Sequence, residues 1–257
     1  MIDSGYWEMK SPDSYFCERL AYPFEPFSVV TCFIGTFMVS HTWWFSTRKS
    51  FLFTPVLLCV FANTLASAVF HLFEQEGPGT VDTTTMLVAA YSSSVGVTIA
   101  LFPAQICMMA FLCITCVGFV ALSLLAYRVP DPFFYGSYGL PLGYNLLLIC
   151  VALHQSPLSY KNLRWCLWGS ACFVASGVVF LITEPYCHTH LWITYLPTHA
   201  LFSHVAQYLG VCLFAMGLYM YQAAPHSICE LKWRFGFIAV DETRIPLHSV
   251  VLVDSPV

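Results

Sequence analysis

A chain of 257 residues that is 58% hydrophobic and only 9% charged, with a mean hydropathy of +0.70, lies outside the range of water-soluble globular domains. Its net charge of −4 arises from so few ionised groups that it says little about partners, and no basic stripe of the kind that binds nucleic acid occurs. The class is an all-α membrane protein, and the spans expected below leave no room for a separate soluble domain.

No positively charged segment followed by an apolar core opens the chain, so residues 1–26 are expected to form a polar cap rather than a cleavable leader. Within this cap, Cys17-Glu18 and Glu25-Pro26 bring carboxylates close to the first helix entrance. Two readings stand for them: solvated acids favoured by a helix N-terminus, or ligands of a Ca²⁺ ion, which takes several carboxylate and carbonyl oxygens.

Seven runs follow that are long enough to cross a hydrocarbon core about 30 Å thick: residues 27–45, 52–73, 82–102, 106–127, 133–153, 166–184 and 197–221. They predict a seven-transmembrane helix bundle over residues 27–221, and residues 222–257 are expected to be a partly ordered tail dispensable for chemistry. If the runs alternate in direction, Arg48, Lys49, Lys161, Arg164, Lys232, Arg234 and Arg244 share one side, against Lys10, Arg19 and Arg128 on the other. That asymmetry places the C-terminus in the cytoplasm and the N-terminal cap outside or in a lumen.

In the first run, His41 has no partner at site spacing and is read as a satisfied interfacial histidine. The second run ends, and the third begins, in the segment that carries the chemistry. Ser67 and His71 are four residues apart and so share a helix face. Gly77-Pro78-Gly79 is read as a reversal that returns Asp82 to their side. A hydroxyl, an imidazole and a carboxylate at the end of apolar helices are costly in a bilayer and mark a functional site. The middle runs are nearly free of charge and are read as scaffold. Cysteines inside the spans, including Cys32 and the Cys113/Cys116 pair, are read as small packing residues. Cys17 and Cys187 fall on the oxidising side, where a disulfide can persist.

The last run opens with Pro197, His199, Ser203 and His204, at the level where His71 ends. Three imidazoles from two helices with an open position are a catalytic zinc arrangement, in which Asp82 and Ser67 orient a water. The competing reading is a pair of interfacial histidines that snorkel toward headgroups.

The order Gly5-Tyr6-Trp7, Cys17-Glu18, Glu25-Pro26, Ser67-xxx-His71, Asp82 and His199-Ala-Leu-Phe resembles the alkaline ceramidases and their bacterial relatives, part of a wider group of seven-span hydrolases that includes the adiponectin receptors. The resemblance covers nearly the whole chain up to the tail. It implies a membrane amidohydrolase that cleaves ceramide to a fatty acid and a sphingoid base, with His71 and a histidine pair on the last span as zinc ligands and with Ser67 and Asp82 catalytic. It also implies Glu18 and Glu25 as calcium ligands and supports a Cys17–Cys187 disulfide. Related alternatives are a hydrolase of another amide or ester lipid, or a lipid-binding receptor built on a decayed site. The chain departs from the family where its histidine pair is spaced by four: Ser203 stands there and His204 comes one residue later. On a regular helix His199 and His204 are about 140° apart, so a π-bulge is needed to turn His204 inward. Tyr15 and Leu20 likewise stand where the family has calcium-site Asp and Asn.

Overall fold

The computed structural model describes residues 25–47, 50, 52–73, 76–102, 112, 115–116, 131–156, 159–183, 199–225 and 227–244. Among these, six α-helices dominate: α1 (Pro26–Thr42), α2 (Phe53–Phe73), α3 (Glu76–Leu101), α4 (Asp131–Gln155), α5 (Tyr160–Thr183) and α6 (Val205–Ala223). Single π-helical turns continue α1 (Trp43–Thr47) and precede α6 (His199–His204). Four stretches, Phe53–Phe73, Gly77–Leu101, Tyr160–Phe180 and Phe202–Ala223, are long and apolar enough to cross a membrane. The expected run 106–127 falls almost entirely outside the described residues, as do Cys17, Glu18, Cys113 and Cys187.

The helices are arranged as hydrocarbon requires. On α1, Phe27, Val30, Phe33, Ile34 and Phe37 are exposed, while Ser28, Thr31, Cys32, Gly35 and Thr42 are buried on the opposite face. Lipid offers no hydrogen-bond partner, so polar side chains turn inward and apolar ones outward. α6 lies innermost, with Cys212 and Met216 fully buried, and packs on α1 and α5. A Cβ on Gly210 would lie 2.7 Å from the Gly169 carbonyl oxygen of α5, so this crossing needs glycine. α2 packs on α1 and α3, and α3 on α4.

Two sequence expectations are corrected here. α3 already begins at Glu76, so Gly77-Pro78-Gly79 forms its first turn rather than the reversal. Proline is accommodated there because a first-turn N–H has no helical partner. A Cβ on Gly79 would sit 3.0 Å from the Phe70 ring, so that glycine lets α3 pack closely on α2.

The all-helical expectation is also amended, because the tail forms an antiparallel hairpin of β1 (Ser227–Arg234) and β2 (Phe237–Arg244). Positive φ at Phe235 (44°) and Gly236 (90°) gives the two-residue turn that matches strand twist. The hairpin is docked, with Cys229, Ala239 and Val240 buried. The Val240 N–H donates to Ser46 Oγ (2.9 Å), Tyr219 Oη donates to Glu242 Oε2 (2.8 Å), and His41 Nε2 lies 2.7 Å from the Arg234 carbonyl. His41 is therefore held by the hairpin through Nε2. None of the described cysteines is in a disulfide, and burial pushes the Cys229 thiol pKa up.

Truncation after Lys232 removes β2 and its apolar contacts, a loss of about 2 kcal/mol. In a chain of this size the melting temperature is expected to fall by roughly 4–8 °C in detergent. His41 is about 24 Å along α1 from Glu25, so the far end of α1 should keep its structure below the transition. An unchanged melting temperature in a thermal-shift measurement would show the hairpin to be idle.

Candidate metal centre

The site is assembled from one end of α1, α2, α3 and the π turn. α2 places Asn63, Ser67 and His71 at four-residue intervals, so they form one inward stripe, and all three are buried. Glu25, at the N-cap of α1, is fully buried, and its Oε2 pairs with His71 Nδ1. Its backbone N–H also donates to the His71 carbonyl (3.3 Å), which ties the two helix ends together. This pairing fixes Nδ1 as the protonated nitrogen of His71 and leaves Nε2 as its ligand atom, the carboxylate–histidine arrangement common behind metal-binding imidazoles. Glu25 is thus engaged with His71 through one carboxylate oxygen, and Glu18, its expected companion in a calcium site, lies outside the described residues.

His204 closes the site from the other side. The residues from His199 to His204 form one π-helical turn, and the His204 ring is buried 4.8 Å from that of His71, centroid to centroid. Its Nδ1 lies 3.1 Å from Thr31 Oγ1 and 3.8 Å from Cys32 Sγ. Cys32, His71 and His204 each offer a donor atom, all within 4.8 Å of one another. Ser203 faces elsewhere: Ser176 on α5 donates to its carbonyl (2.9 Å) and lies 3.3 Å from its hydroxyl. The backbone of His199 begins the π turn, and its side chain lies outside the described residues.

Asp82 is buried on α3, where Asn63 Nδ2 donates to its Oδ1 (3.0 Å) and its carbonyl (3.3 Å). Ser67 is within hydrogen-bonding reach of Cys32 and of Tyr208, and Tyr208 Oη donates to Cys32 Sγ (3.5 Å). Cys32, Asn63 and Tyr208 were not singled out from the sequence, although spacing carries a signal for each. Cys32 follows Glu25 by seven residues, Asn63 precedes Ser67 by four, and Tyr208 follows His204 by four.

The donor chemistry fits a divalent ion. Nitrogen and sulfur donors favour zinc over calcium or magnesium.

Beside this cluster an apolar cavity of about 320 Å³ runs between α2, α3, α4, α5 and α6. Asn63 and Tyr208 belong both to its wall and to the metal cluster, while Phe53, Leu142, Gly143 and Phe214 line other parts of it.

Glu25→Gln is expected to weaken binding of a divalent metal by about 10–100-fold, the usual effect of removing a partner behind a ligating histidine. Competition with a chromogenic chelator would measure it, and unchanged affinity would mean that Glu25 does not orient His71. Scanned against models of known protein families the chain matches none, and a search of curated proteins also gives no match.

Proposed function

We propose that this protein is a zinc-dependent amidohydrolase within a seven-span bundle, cleaving the amide of ceramide or a closely related lipid. The N-terminal cap would be luminal or extracellular and the C-terminal hairpin cytoplasmic. The observation that carries this reading is the buried group of His71, His204 and Cys32, with Ser67 and Asp82 also buried, next to an apolar cavity whose wall includes Asn63 and Tyr208. The resemblance to the ceramidases supplies the substrate class.

His71 and His204 hold the ion, with His199 added by the resemblance. Zinc, when bound, supplies Lewis-acid activation of water and of the amide carbonyl. Asp82 accepts the proton of the attacking water and returns it to the departing amine as the C–N bond breaks. Asn63 fixes the Asp82 carboxylate, and the Ser67 hydroxyl donates to the developing oxyanion. The cavity takes hydrocarbon of the substrate, and its apolar wall keeps bulk water from the reacting amide.

The test is zinc analysis of the purified chain together with release of sphingoid base from ceramide in mixed micelles. About one zinc per chain and zinc-dependent release are expected. Zinc without amide cleavage moves the substrate to another lipid, and absence of both overturns the reading. A Cβ on Gly143 meets nothing within 4 Å, so Gly143→Trp should fill the cavity without clashing with backbone. It is expected to lower turnover of long-chain substrate by roughly tenfold or more and leave zinc content unchanged. Equal turnover of long-chain substrate by wild type and variant would show that the chain lies elsewhere.

A further inference from the structure

We infer that Cys32, as a thiolate, is a protein ligand of the ion, forming a His₂Cys set with His71 and His204. The inference rests on reading the cluster as a metal centre and goes beyond it by assigning a sulfur donor from α1. Two observations carry it. Cys32 Sγ and the two imidazoles present donor atoms within 4.8 Å of one another. Cys32 Sγ also accepts a hydrogen bond from Tyr208 Oη at 3.5 Å, an outer partner of the kind that orients a metal ligand.

Cys166 provides the contrast. It is just as fully buried, but its Sγ donates to the Phe214 carbonyl (3.5 Å) and thus remains a protonated thiol. When metal binds at Cys32 the thiol proton is released to solvent. With Cys32 in the place that the resemblance gives to His199, three protein donors from two helices and the π turn leave one position open, as in catalytic rather than structural zinc sites.

The test uses the full chain in detergent, stripped of metal and loaded with Co²⁺. Wild type is expected to show visible d–d bands together with a near-ultraviolet sulfur-to-cobalt charge-transfer band. Cys32→Ser should lose the charge-transfer band, and its zinc affinity should fall by more than the about 10–100-fold caused by losing an outer partner; Cys166→Ser should keep the band. Visible bands without charge transfer in wild type would leave a histidine-held metal centre standing and overturn the assignment of Cys32. No cobalt bands at all would overturn the metal centre and this inference together. X-ray absorption of the unmodified zinc protein removes any dependence on a variant's folding: a sulfur at about 2.3 Å is expected, and a shell of nitrogen and oxygen alone overturns the inference.

Discussion

Replacing His204 with alanine is expected to abolish zinc retention and turnover as thoroughly as replacing His71. Zinc affinity should fall by more than about 100-fold, beyond the range for outer partners. The reason is the π turn. In a regular helix the residue four after His199 shares its face, and the residue five after it turns away by about 140°. A π turn adds one residue per turn, so the fifth residue comes into line, and His204 is found buried beside His71. Ser203, by contrast, is engaged with Ser176 on α5. Ser203→Ala should therefore cost no more than an ordinary hydrogen bond, about 0.5–1.5 kcal/mol, with zinc and turnover kept. Ser203→His, which would restore four-residue spacing in a regular helix, should gain no metal because it directs an imidazole toward α5. Metal analysis and ceramide turnover on the three variants decide the matter. A His204→Ala protein that keeps its zinc, or a Ser203→His protein that binds more tightly, would overturn this assignment.

Asp82→Asn is expected to lower turnover by about 10²–10⁴-fold, the range for a general base, while the protein keeps its zinc. The side chain keeps its shape and can still accept from Asn63, so the change removes mainly proton-accepting capacity. Asn63→Ala should give a smaller loss, because the carboxylate remains but loses the amide that orients it. Equal loss of zinc and activity in Asp82→Asn would instead make Asp82 part of the ion's binding set. Full activity would remove it from the chemistry.

The cost of burying polar groups in hydrocarbon made much of this protein readable from sequence alone. Long apolar runs marked helices wherever the structure describes them, and within those runs Ser67, His71, Asp82 and His204 stood out because ionisable and polar groups are rare there. Those four are buried in one region. The one-residue displacement of His204 could be posed as a geometric problem from helix periodicity, and the π turn is its solution in the fold. What only the tertiary structure decided concerns contacts between helices, which no single-segment periodicity encodes. Cys32 reads as packing on α1 until α6 brings His204 against it. Glu25 reads as an acid at a helix entrance, and only the meeting of the ends of α1 and α2 places it, buried, on His71. The tail's short alternation of apolar and polar residues becomes a hairpin because the ends of α1 and α6 offer Ser46, His41 and Tyr219 as partners for it. A buried polar group is visible in sequence by its cost, but its role depends on which group it meets, and that is fixed by helix packing.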